Sequence, residues 1–216
     1  MKNTNETLKQ SDNKIYELRE FEDTFFQDGV SVIVGIDEAG RGPLAGPVVA
    51  SAVILPKKAI IFGVDDSKKV SEKKREVLYA EIYEVAEDIG IGIVDCKTID
   101  EINILNATFL AMRRAIENMS VKPDLCLVDG NLHIKNLELR QQPIVKGDSK
   151  SISISAASIV AKVTRDRLMR QYDELYPEYD FKNNKGYGTK KHTQALLEYG
   201  ISPIHRASFL SKILCR

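Results

Sequence analysis

Apolar residues along this chain repeat with two different periods. Val32-Ile33-Val34-Gly35-Ile36 and Val48 to Leu55 are β-branched runs with strand character, and Gly90 to Val94, Leu125 to Val128 and Ile144-Val145 read the same way. Between them the spacing turns helical. Leu78, Ile82, Val85 and Ile89 predict a helix from an N-cap at Ser71 to about Asp88. Thr98-Ile99-Asp100-Glu101 has capping-box spacing and opens a helix carrying Ile102, Leu105, Phe109, Met112 and Ile116. Ser151–Ser155 alternates like a strand, but Ala156, Ile159, Val160, Val163, Leu168 and Tyr172 favour a helix from about Ser153 to Leu175, ended by Pro177. Lys182–Lys191 predicts a basic loop around Tyr187, and Thr193 to Tyr199 a short helix stopped by Gly200.

Leu18, Phe21, Phe25 and Phe26 predict a short N-terminal helix, with frayed ends before about residue 14. Residues 1–28 are thus expected to form a partly helical extension, and residues 29–216 a single domain. Interleaved strands and helices imply an α/β fold with helices on both faces of a sheet.

Charge sharpens the picture. The chain has 31 Lys/Arg and 31 Asp/Glu, a formal net charge of zero. Residues 140–216 nevertheless hold 14 basic against 7 acidic side chains, a basic surface suited to phosphate. The apolar runs are too short to span a bilayer. Three scattered cysteines (Cys96, Cys126, Cys215) and a polar start without a signal-peptide core fit the cytoplasm. Three histidines far apart in sequence (His133, His192, His205) argue against zinc.

The candidate chemistry centres on Gly35 to Pro47. A strand ends in Asp37-Glu38, an arginine follows between Gly40 and Gly42, and Pro43 and Pro47 block any helix. The glycines loosely imitate a dinucleotide fingerprint, but no helix N-terminus follows to hold a pyrophosphate. A glycine-rich hairpin with solvated carboxylates is the plain alternative. Against it, Asp129 and Asp148 also stand at or just past strand ends beside glycines. Four carboxylates gathered at converging strand ends would repel one another unless cations neutralised them. Mg²⁺ or Mn²⁺ suits such an all-oxygen set, and two such ions can promote in-line hydrolysis of a phosphodiester.

These residues also resemble a known family. Gly35-Ile36-Asp37-Glu38-Ala39-Gly40-Arg41-Gly42-Pro43-Leu44-Ala45-Gly46-Pro47 is similar to the signature of ribonuclease HII, the bacterial type 2 ribonuclease H. Asp66-Ser67-Lys68, Val128-Asp129-Gly130, Val145-Lys146-Gly147-Asp148, Ala156 to Val163 and Pro203-Ile204-His205-Arg206 resemble the same family at matching intervals. The resemblance implies a ribonuclease H-like fold: a mixed central sheet flanked by helices, with a helical C-terminal part. It implies an endonuclease of RNA–DNA hybrids that also cuts on the 5′ side of a ribonucleotide embedded in duplex DNA, leaving 3′-hydroxyl and 5′-phosphate ends. The four catalytic, metal-binding positions fall on Asp37, Glu38, Asp129 and Asp148. The elements that contact the 2′-OH and sense the ribose-to-deoxyribose junction fall on Gly40, Arg41, Gly42 and Tyr187. A relative of the HIII type would carry threonine where Arg41 stands.

Lys146 and Lys185 are expected at phosphates, with Lys150, Lys162 and Arg165 as further candidates. Asp166, flanked by arginines at mid-helix, is expected in an ion pair, and His205-Arg206 in fixing the C-terminal segment without a histidine partner. A monomer is the default expectation. A non-catalytic hybrid-binding module on the same fold is the opposing reading and would need a missing carboxylate. A phosphatase of small monoesters would leave the basic C-terminal third unexplained.

Overall fold

Strand β1 (Ile33–Ala39) is the middle of a five-stranded mixed sheet in the order β3-β2-β1-β4-β5. The computed structural model describes residues 2–64 and 70–214, with side-chain detail over 15–64, 70–211 and 213; the Asp66-Ser67-Lys68 match lies outside the described residues. β1 runs antiparallel to β2 (Val48–Ile54), which runs antiparallel to β3 (Asp88–Val94). On its other side β1 is parallel to β4 (Leu125–Asp129), and β4 to β5 (Gln141–Ile144). Ile36 pairs with Val128, so Asp37 and Asp129 each stand one residue beyond that pair, side by side at the strands' C-terminal ends.

Both faces are covered, which is why β1 and β2 read as unbroken apolar runs. Helices α1 (Lys2–Gln27), α2 (Glu72–Val85) and α5 (Ile152–Leu175) cover one face, with Leu18, Leu78, Ile82, Ile159 and Val160 in a shared core. Helices α3 (Cys96–Ile102) and α4 (Ile104–Glu117) cover the other, with Ile99, Phe109 and Met112 packed on Val34, Ile36 and Val128. Gly35 sets the depth of α5, because a Cβ there would lie 2.1 Å from the Ser153 carbonyl carbon. The chain finishes in a helical part built from α6 (Phe181–Asn184), α7 (Lys190–Tyr199) and α8 (Ala207–Leu214), gathered around Tyr179, Phe181, Leu196 and Leu210.

Several sequence expectations need correction. The helix expected from Thr98 onward is two helices, α3 and α4, broken at Asn103 with φ +66°. Asp95, not Thr98, caps α3 by accepting from Thr98 N at 2.8 Å, and Asn103 Oδ1 caps α4 through Leu105 N and Asn106 N, both at 3.1 Å. Asparagine tolerates the left-handed region and offers a capping oxygen, so it can end one helix and start the next. The helix preferred over a strand at Ser151–Ser155 is present: α5 starts at Ile152, one residue before expected, with Ser151 as its N-cap. The basic loop contains the short helix α6, and α7 begins at Lys190 under a Thr189 cap, three residues before expected.

α1 is longer than the short helix expected. It is joined to α5 by the buried Glu22, which accepts from Ser153 N (2.8 Å), Ser153 Oγ (3.0 Å) and the Ser151 hydroxyl. Among the described residues no helix is long and apolar enough to cross a membrane.

Candidate active site

The parallel pairing of β1 with β4 brings carboxylates distant in sequence to one cavity of about 490 Å³. Asp37, Glu38 and Asp129 line it. Asp37 is 6% exposed and accepts from its neighbour Glu38 N at 2.7 Å and from the Ser158 side chain. Burial, then the charges of Glu38 and Asp129, push its carboxyl well above the usual carboxylate range. Asp129 Oδ1 accepts from Gly147 N at 2.7 Å, which fixes a 3₁₀ turn, Gly147–Ser149, against the end of β4. Asp148 stands half-buried in that turn, outside the lining of the cavity. Among the described residues no three His, Cys, Asp or Glu side chains stand at mutual metal-ligating spacing.

The Gly40–Gly46 loop forms the facing wall. Two buried arginines hold it entirely through main-chain carbonyls. Arg206 reaches Gly40 O (2.6 Å), Arg41 O (3.1 Å), Pro43 O (2.8 Å) and Gly46 O (2.7 and 3.0 Å). Arg165 reaches Pro47 O (2.9 Å), Ala45 O (3.1 Å) and, across to the next loop, Lys185 O (2.9 Å). Gly40 adopts φ +99°, and a Cβ there would lie 2.1 Å from Arg165 Nε. With these carbonyls turned onto arginine, the amides of Arg41 and Gly42 donate to no protein acceptor among the described residues. The Arg41 side chain is half exposed, 3.5 Å from Glu38. Tyr187 is also half exposed, lines the cavity and stands over Gly42.

The expected site residues therefore divide. Asp37, Glu38, Asp129, Gly40, Arg41, Gly42 and Tyr187 meet at one cavity. Lys146 is exposed on a left-handed turn (φ +57°) outside its lining. Lys185 is nearly buried, its ammonium bonded to Lys182 O and 3.9 Å from Glu72. Arg165, a candidate phosphate contact in the sequence, is buried with its guanidinium bonded to loop carbonyls. Lys162 does line the cavity and pairs with Asp166 at 2.6 Å, so Asp166 is the ion-pair partner expected. Ser158 and Ile104 line the cavity without having been singled out. Ser158 was legible as a hydroxyl inside the apolar Ala156–Val163 run, whereas nothing in the local pattern marks Ile104. His205 does have a histidine partner: its Nε2 lies 2.9 Å from His192 Nε2.

Known proteins are similar over nearly the whole chain. The family model described as Ribonuclease HII matches residues 34–212. The ribonuclease HII of Clostridioides difficile is 56% identical over 97% of this chain and 82% of its own length. That of Caldanaerobacter subterraneus subsp. tengcongensis is 55% identical over 96% and 86%. Among solved structures, the ribonuclease H2 of Pyrococcus horikoshii superposes with a TM-score of 0.73 at 31% identity, over 85% of this chain and 97% of that one.

Proposed function

Because the chain belongs to the ribonuclease HII family, endoribonucleases of RNA–DNA hybrids, we propose that the cavity at the ends of β1 and β4 is its active site. The catalytic, metal-holding residues are Asp37, Glu38, Asp129 and Asp148. The observation that carries this reading is the juxtaposition of Asp37, Glu38 and Asp129 in a cavity floored by strand ends, where burial and then the charges of its two neighbours raise the Asp37 carboxyl. An all-oxygen set of this kind fits Mg²⁺ or Mn²⁺. Two such ions held by Asp37, Glu38, Asp129 and Asp148 would supply an activated water and offset charge on the leaving oxygen, the chemistry that would leave 3′-hydroxyl and 5′-phosphate ends.

The protein's own residues supply position. The Asp129–Gly147 hydrogen bond ties the turn bearing Asp148 to the end of β4, beside Asp129. Gly40 and Gly42 let the backbone approach a ribose closely, and the amides of Arg41 and Gly42 are suited to a 2′-OH, the group that separates RNA from DNA. The Tyr187 ring packs on the neighbouring deoxyribose and reports the junction. Lys162 and Arg41 add positive charge at the phosphates, with Lys146 further along the bound strand, while Lys185 acts through the loop that its own carbonyl ties to Arg165. On this reading the enzyme cuts on the 5′ side of single ribonucleotides embedded in duplex DNA as well as in long hybrids. Free thiols at Cys96 and Cys126 fit work in the cytoplasm, as a monomer.

The test is a duplex DNA with one labelled ribonucleotide, incubated with Mg²⁺ or Mn²⁺ beside an all-DNA control. One cut on the 5′ side of the ribonucleotide is expected. Cleavage of long hybrid alone would discard the junction assignment of Gly40-Arg41-Gly42 and Tyr187. Tight hybrid binding without cleavage in either metal would leave a non-catalytic binding module.

A further inference from the structure

Behind Tyr187 lies a buried pair of histidines that the reaction does not use. His192, in the first turn of α7, is fully buried, and His205 is 6% exposed. The hydrogen bonds around them have only one consistent direction. The backbone amide of Ser202 can only donate, and it donates to His205 Nδ1 at 2.9 Å, so that nitrogen carries a lone pair. The proton of a neutral His205 is therefore on Nε2, facing His192 Nε2 at 2.9 Å. His192 accepts there, so its own proton is on Nδ1, which donates to the Tyr187 carbonyl at 2.9 Å. The chain runs Ser202 to His205 to His192 to Tyr187, and a proton added to either ring would break one of its links.

Both ends of this chain are attached to the proposed substrate wall. His205 forms a β-bridge with Ala45, Ile204 O accepts from Gly46 N at 2.8 Å, and Arg206 N donates to Leu44 O at 2.9 Å. One end therefore moves with the Gly40–Gly46 loop. The other end is the Tyr187 peptide, whose ring stands over Gly42 of that same loop. Tyr179 and Phe181 pack on both imidazoles, with ring centroids 4.9–6.2 Å apart, and keep water out.

We propose that His192 and His205 are positioning residues that set the Tyr187 ring against the glycine loop, and thereby the preference for a ribonucleotide embedded in DNA over a long hybrid. The inference rests on the reading of Tyr187 as the junction sensor. What separates this pair from histidines that only fill the core is where its links end, on the Tyr187 carbonyl and on the segment bridged to Ala45.

Three variants of the full chain test it, each checked for folding and assayed for kcat/KM on an embedded ribonucleotide and on a long hybrid. His192→Phe keeps the ring volume and removes the donor. It is expected to lower the embedded-to-hybrid ratio about fivefold, the size one neutral hydrogen bond sets. His192→Gln, which can donate and accept, is expected to keep the ratio within about twofold. Tyr187→Ala is expected to lower the ratio at least as far as His192→Phe. An unchanged ratio in Tyr187→Ala overturns the junction reading together with its consequence for the histidines. A lowered ratio in Tyr187→Ala beside an unchanged or equally scaled loss in His192→Phe overturns the histidine relay alone. Should His192→Phe fail to fold, ¹⁵N imidazole spectra of the unaltered protein decide, since the chain has three histidines. A neutral His192 protonated at Nδ1 beside a neutral His205 protonated at Nε2 is expected at pH 7. An Nε2 proton on both rings, or a charged ring, overturns the relay.

Discussion

The ring of Tyr187 stands over Gly42, so that a methyl group added at Gly42 would meet Tyr187 Cε1 at 3.6 Å. That is ordinary van der Waals contact, and the contrast with Gly40 is instructive. Gly42→Ala is expected to change stability by no more than about 0.5 kcal/mol. It would nonetheless fill the gap through which a ribose approaches, and cleavage at an embedded ribonucleotide should fall about tenfold or more. Gly40→Ala meets both a left-handed backbone and Arg165, and should lose about 2–4 kcal/mol. Denaturant unfolding of both variants, with cleavage assays of Gly42→Ala, checks the pair.

Asp37 should behave as a residue that function retains against stability. Its charge is disfavoured by burial, by Glu38 and by Asp129. Asp37→Asn removes that charge while keeping an oxygen for the Glu38 amide. A raised Tm is therefore expected together with a fall in cleavage of more than about 100-fold, beyond the loss typical of residues that only support a metal ligand. A lowered Tm would contradict the electrostatic account of the site.

The arginine clamp makes a prediction about rigidity. Arg206→Lys keeps the charge but cannot reach the carbonyls of Gly40, Arg41, Pro43 and Gly46 with one ammonium. Leaving buried carbonyls without donors should cost about 3 kcal/mol. Hydrogen exchange in residues 40–46 should speed up before that of the β1 and β2 core, because the clamp holds the loop and not the sheet.

The pH dependence should have two limbs of opposite sign. Asp37 and Glu22 are raised above their unfolded values, chiefly by burial. The stability they contribute is fully present below the unfolded carboxyl pKa and is lost as pH rises through the folded one. His205 is pushed down to about 4, and His192 is lowered too, both chiefly by burial. Their contribution is present above the unfolded histidine pKa and is lost as pH falls from about 6.5 toward 4. The two limbs overlap from about pH 4 to 6.5 and oppose one another there, so Asp37→Asn, which removes one falling limb, should make Tm rise more steeply over that range in thermal melts. Mg²⁺ should raise Tm more at pH 8 than at pH 5, since it offsets the Asp37 charge only where that charge exists. An equal effect at both pH values would place the metal elsewhere.

Some of this architecture needs nothing beyond local pattern. The β-branched runs at 32–36 and 48–55 and the helical spacing after Ser151 are set by burial on two faces or one, which composition records directly. The carboxylates beside glycines were legible because an unpaired charge is costly inside an apolar run and a glycine marks where the chain turns, although β1 continues through Asp37 and Glu38 to Ala39. The break at Asn103 was less legible, because the apolar stripe of α4 continues in phase across it and only the backbone conformation of one residue interrupts it.

What the sequence by itself determined is the order of the main strands and helices and the identity of the candidate chemistry, since each depends on neighbours within a few residues. Which groups meet was decided only by the tertiary structure. The parallel register of β1 on β4 puts Asp37 beside Asp129, 92 positions away, and the fold of residues 177–206 puts His192 against His205 and Arg206 under the glycine loop. It also made Lys185 and Arg165, expected as candidate phosphate contacts, into buried fastenings of the site. Long-range pairing has no local period. A charged residue's role depends on what packs over it, which the chain settles only when it closes on itself.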